Sequence, residues 1–180
     1  MRTVPDRMAI LASLADAAAA FLSALLILAA AHKLLDPERA RRAASDLLRA
    51  PAMLARGATG AAVALELAAG FALILPATRM AGALMAAGLW LAYTLAIQLA
   101  IGAGRRDLDC GCSFAAVHAP LGGFELTRNL TLAALAVGVA AMTRAGAPGP
   151  IPPMDAFSAL VLVTLYVSVD QTRAIRRGNA

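Results

Sequence analysis

The stretch "LADAAAAFLSALLILAAAHKLL", residues 14–35, decides the fold. At a rise of 1.5 Å per residue it would extend for about 33 Å, enough to cross a hydrocarbon layer of about 30 Å. A secretory signal has an apolar region of only about 7–15 residues. Here the run is longer, and a second apolar run follows soon after. We therefore read it as a retained transmembrane helix.

Four further runs of the same kind lie downstream, at about 58–75, 80–102, 126–143 and 156–172. The second is closed by Pro76, and the tight "PATR" turn leads into the third. A Pro/Gly linker, 144–155, separates the last two and breaks helix. A four-span arrangement with the last run lying in the interface is the alternative. The length of that run and its lack of charge between Asp155 and Asp170 favour spanning. The expected fold class is therefore all-α: a polytopic transmembrane bundle of five spans, forming one integral membrane domain over residues 1–180.

Composition agrees with this reading. Of 180 residues, 61% are hydrophobic, whereas about 45–50% is usual for soluble domains. Aromatics contribute only 4%, so Ala and Leu carry the apolarity, which favours helix over strand. The net charge of +5 would point to nucleic acid in a soluble chain. Here Arg residues flank apolar runs, which is how basic residues meet lipid headgroups. The expected partner is the lipid bilayer, with no nucleic acid.

Between the first two runs lies "DPERARRAASDLLRAPAM". Asp36 is suited to cap a helix with Pro37 at its first position. Ala40, Ala43, Ala44, Leu47 and Leu48 recur at helical spacing. These features predict a short amphipathic helix at the membrane surface.

Alternating spans put the loop after span one, the loop after span three and the C-terminus on one side. His32, Lys33, Gln98, Cys110, Cys112, Arg128, Asn129 and Asp170 all fall at that end. The opposite end offers Arg2, Asp6, Arg7, Arg79, Arg144 and Asp155 as its charges. Most of the Arg residues accompany the cysteines, so the positive-inside rule puts that end in the cytoplasm. Glu66 stands apart in the middle of span two. An ionisable group in hydrocarbon costs a few kcal/mol and is a functional candidate by default. Lys33 and Arg128 approach from the cysteine end with side chains long enough to reach toward it. Both readings of Glu66 stay open: a structural hydrogen bond that locks helices, or a part in chemistry.

The chain's two cysteines occur in "DLDCGCSF", residues 107–114. Cys110-Gly111-Cys112 closes a disulfide if the turn brings the Cα atoms within about 7 Å, and glycine permits the unusual dihedrals such a ring needs. So small a ring crosslinks almost no chain and contributes little stability. Exposed or strained disulfides are also the more reducible ones. A metal site needs more ligands; His118 and His32 would supply the number, but the spacing matches no standard zinc pattern, so no metal is assigned. Redox chemistry leads, with structural and incidental roles as alternatives. No cofactor is indicated, and the chain carries no nucleotide loop, catalytic triad pattern or zinc-protease motif.

"HKLLDP", "LELAAGFALIL", "GRRDLDCGCSF" and "LTRNLTLAALA" occur in an order that resembles the methylamine utilisation protein family MauE, within a wider redox-associated group that includes DoxX-like proteins. The likeness extends from about Leu25 to Ala141. Its specific part is the Arg-Arg-Asp-Leu-Asp-Cys-Gly-Cys string; after it, Ser113-Phe114-Ala115 lacks a glycine common in the family. The resemblance implies a multi-pass inner-membrane protein; the lack of those catalytic motifs is why the chain is not read as a stand-alone enzyme. The resemblance also implies a part in the thiol/disulfide processing, transport or maturation of the methylamine dehydrogenase small (beta) subunit, beside a thioredoxin-like MauD-type partner. On that basis Cys110 and Cys112 form the candidate redox pair. His32, Lys33, Glu66, Arg128 and Asn129 match family motif positions without an assigned role. The alternatives are a small transporter with Glu66 in its pathway, or a scaffold that positions a thioredoxin-like partner without redox chemistry of its own.

Overall fold

In the computed structural model, residues 4–108, 121–146 and 149–178 are described, with side chains from residue 9 to residue 173. The described residues form six helices and no strands: α1 (Val4–Leu35), α2 (Pro37–Leu48), α3 (Ala52–Ile74), α4 (Arg79–Gly102), α5 (Gly123–Ala145) and α6 (Pro153–Gly178). All but α2 contain a segment long and apolar enough to cross a membrane, from 21 to 27 residues. The protein is a multi-pass helical membrane protein.

The distribution of apolar side chains supports this environment. Small residues fill the interior: Ala19, Ala69, Ala83, Ala86 and Ala136 are fully buried. Large ones such as Leu14, Phe71, Leu95, Leu99, Leu160 and Leu165 face outward. A soluble monomer rarely exposes so large an apolar surface. Between helices in lipid, small residues let backbones approach and gain van der Waals contact.

Helix α1 is central: α3, α5 and α6 pack against it, and α3–α4 and α4–α5 form successive neighbours. The α3–α4 approach depends on Gly82, where an added Cβ would lie 2.7 Å from Leu73 N and 2.8 Å from the Ala72 carbonyl carbon. The α1–α3 register is held by Ser23, whose hydroxyl donates to the Gly70 carbonyl at 2.8 Å across two buried helix faces. Helix α6 packs along α1 and reaches α5 through long side chains. Arg128 pairs with Asp170, and the Arg173 guanidinium lies 3.9 Å from the Phe124 ring centre.

Helix α2 forms as its sequence dictates. Asp36 accepts a hydrogen bond from Arg39 N at 3.1 Å, and Pro37 occupies the first turn. Arg49 ends the helix in the left-handed region (φ 51°) while its N–H bonds Ser45 O. Ala40 and Ala43 are buried, and Leu47 packs against a small cluster of Ile97, Ala100 and Leu121. Leu48 remains half-exposed, at the edge of the helix.

Candidate functional site

Four of the residues singled out in the sequence lie in the bundle interior near the α2 end: Lys33 on α1, Glu66 on α3, and Arg128 and Asn129 on α5. The Lys33 ammonium donates to Glu66 Oε1 at 2.7 Å, with the lysine 8% and the glutamate 1% exposed. Tyr93 of α4 donates its phenolic O–H to the same oxygen at 2.7 Å. The ammonium also lies 5.7 Å from the Tyr93 ring centre, within cation–π range. Three helices thus converge on one carboxylate oxygen. Two charge-assisted hydrogen bonds offset the cost of burying the carboxylate.

Arg128 does not take up Glu66. It pairs with Asp170 of α6 at 3.3 Å, and both are buried. The two ion pairs are nevertheless close neighbours. Glu66, Arg128 and Asn129 line a cavity of about 30 Å³ together with Trp90, Tyr93 and Tyr166. Those three aromatics are the chain's only tryptophan and both of its tyrosines. In a sequence with 4% aromatics, that scarcity is the signal that could have pointed to this cavity. His32 lies apart. It is half-buried at the end of α1, in a shallow recess with Asp36 and Arg39, and it lines none of the Glu66 cavity.

The sequence expectation that polar chemistry gathers at one end needs correcting. A second buried ionic group lies at the opposite end. Arg79 of α4, 2% exposed, donates to Asp16 of α1 at 2.6 Å, to the Leu73 carbonyl at 3.1 Å and to the Gly149 carbonyl at 2.9 Å. Ser13 donates to the buried Asp155 of α6 at 2.7 Å. Asp16 sits inside an alanine run and was missed. Arg79 was counted as a headgroup-facing charge, but it turns inward because α3 ends there and leaves carbonyls to satisfy.

Cys110, Cys112 and His118 lie outside the described residues. The flanks of their segment are described. Leu121 N donates to the Arg106 carbonyl at 2.7 Å, and Arg105 reaches the Asp46 carbonyl of α2 at 2.6 Å. The chain therefore leaves α4 and returns to α5 at a single point beside α2, at the same end as Lys33, Glu66 and Arg128. Among the described residues, no group of three or more His, Cys, Asp or Glu side chains is arranged to hold a metal ion.

The family described as methylamine utilisation protein MauE matches residues 9–142, which covers α1 to α5. A methylamine utilization protein MauE of Methylophilus methylotrophus is 37% identical over 83 residues, 43% of this chain and 42% of the relative. A methylamine utilization protein MauE of Paracoccus denitrificans is 28% identical over 132 residues, 73% of this chain and 69% of the relative. The matched part is thus under half of the first relative's length and about two thirds of the second's. No solved structure matches the chain.

Proposed function

Because this chain belongs to the MauE family of methylamine utilisation proteins, we propose that it is an inner-membrane maturation factor. In this reading it supports thiol–disulfide processing, transport or maturation of the methylamine dehydrogenase small subunit. The observation that carries the proposal is the Cys110-Gly111-Cys112 pair in the α4–α5 connection, whose flanks are tied together by the Leu121–Arg106 hydrogen bond.

The proposed chemistry is exchange. One cysteine thiolate attacks a partner disulfide; a mixed disulfide forms, and one partner sulfur leaves as thiolate. The second cysteine then attacks the mixed disulfide. This releases the partner as a dithiol and leaves Cys110 and Cys112 joined. The pair is oxidised by two electrons and the partner is reduced by the same two. Run in reverse, the same steps oxidise a client. A thioredoxin-like protein of the MauD type is the proposed exchange partner. Lys33, Glu66, Tyr93, Arg128 and Asn129 are assigned a positioning role: they fix the helix ends from which the cysteine segment departs.

The test is to express Cys110→Ser, Cys112→Ser and the double variant in a host that depends on methylamine dehydrogenase. Each single variant is expected to accumulate a covalent adduct visible without reductant. The double variant is expected to insert normally, form no adduct and fail to yield mature small subunit. Normal maturation by the double variant would remove the redox reading and leave a scaffold that positions the partner. Labelling of intact cells with a membrane-impermeant maleimide assigns the side. Labelled cysteines would act directly on a periplasmic client, and protected ones would exchange with cytosolic thiols.

A further inference from the structure

Three buried side-chain atoms in the bundle interior have no protein hydrogen-bond partner: Nε of Arg128, whose guanidinium is otherwise paired with Asp170, Oε2 of Glu66 and Nδ2 of Asn129. Glu66 and Asn129 are almost wholly enclosed, at 1% and 2% exposure. Both line the same cavity of about 30 Å³. A buried acceptor and a buried donor left unmet each carry the full cost of desolvation. In lipid no bulk solvent is at hand to relieve it.

We propose that this cavity is a binding site for water, in which one ordered molecule, or two at most, bridges Glu66 to Asn129. One water needs about 10–15 Å³ of such space and two to four polar partners. The volume admits that and little more. Water also fits the chemistry on both sides, since it donates to the carboxylate and accepts from the amide. Were the amide turned end for end, water would donate to both oxygens, so the bridge does not depend on that choice. An ion fits less well. Glu66 is already neutralised by Lys33, and Arg128 on the cavity wall is paired with Asp170. The walls therefore carry no net charge, and a neutral ligand is the one they accommodate. The surrounding Leu25, Leu26, Ala29 and Leu132 offer a larger solute no further polar contact.

The bridge joins groups that the protein leaves separate. Without it, Glu66 bonds only toward α1 and α4. With it, the same carboxylate is tied to α5, next to the Arg128–Asp170 pair that holds α6. The site also gives a buried carboxylate a partner that itself carries exchangeable protons. This inference is independent of the thiol reading and survives its failure.

The test uses the full chain in nanodiscs. An experimental structure that resolves ordered water is expected to have density within hydrogen-bond distance of both Glu66 and Asn129. Asn129→Leu fills the cavity and strands Glu66, so it is expected to lower the folding equilibrium about tenfold or more, in the range found for coupled neighbours. In the Lys33→Leu/Glu66→Leu background nothing is left to bridge. There the same substitution is expected to be neutral or favourable. Direct contact between Glu66 and Asn129, an empty cavity, or an equal cost of Asn129→Leu in both backgrounds would each overturn the proposal. Should the double-leucine background fail to fold, the structure alone decides.

Discussion

Removing Lys33 tests whether the Lys33–Glu66 pair holds the bundle together. Lys33→Met keeps most of the stem and deletes the charge, which leaves Glu66 buried at 1% exposure without its counter-charge. Breaking a buried pair from one side costs about 3–5 kcal/mol. Two features place the expectation at the low end. Tyr93 still donates to Oε1 at 2.7 Å, and a hydrogen bond to a charged group retains about 1.5–3 kcal/mol. The unfolded chain in a membrane also finds alternative partners for its polar groups, which shrinks measured differences. The expected loss is thus about 3 kcal/mol, roughly a hundredfold in the folding equilibrium at about 1.4 kcal/mol per factor of ten. Tyr93→Phe removes one of the two bonds and should cost about half as much. The double variant Lys33→Met/Glu66→Leu removes both charges, and its stability should return to near wild type, because a buried pair is often worth no more than an apolar replacement. Reversible unfolding in mixed micelles, followed by tryptophan fluorescence from Trp90 on the wall of the same cavity, reads all three. The reasoning fails if Lys33→Met unfolds with the wild type, or if the double variant is no better than the single one.

The close approach at Gly82 predicts that Gly82→Leu sharply reduces the amount of protein in the membrane, at a cost of about 3 kcal/mol or more, because the obstacle is the backbone at Leu73 and Ala72 and has no room to yield. Gly88→Ala, where an added Cβ meets nothing within 4 Å, should be tolerated on the same quantitative blot. Arg79→Leu should destabilise by about 3–5 kcal/mol by stranding Asp16. Arg79→Leu/Asp16→Leu should recover most of that, and neither should alter adduct formation by the single-cysteine variants, since this ionic group lies at the other end of the bundle.

The architecture was legible because each span is a long apolar run, and length alone separates such runs from soluble core helices. Their ends were less so. Helix α3 begins at Ala52, not near residue 58, because Arg56 interrupts the apolar run without interrupting the helix; its side chain is exposed beyond the packed part. Helix α1 likewise starts at Val4, well before Leu14, with Pro5 in a first turn that has no need of its N–H. The Lys33–Glu66 contact was within reach, since few charges lie inside the spans and the two enter from one end. Tyr93 was not, because its place at Oε1 follows from the relative rotation of α3 and α4, which has no local signature. Asp16 was missed for the opposite reason: one acid in an alanine run reads as tolerable until α4 brings Arg79 beside it.

The hydrogen bond from Leu121 to Arg106 sets the start and the finish of the cysteine-bearing segment within one peptide contact of each other. A stretch anchored in that way is an insertion between residues that already touch: the α4 and α5 ends are joined through its flanks. Each doubling of such an insertion costs only about 0.6 kcal/mol in closure entropy. A change in the segment's length therefore leaves this anchoring contact in place. Under the exchange reading proposed above, a different client would call for a different segment carried on the same five-span chassis.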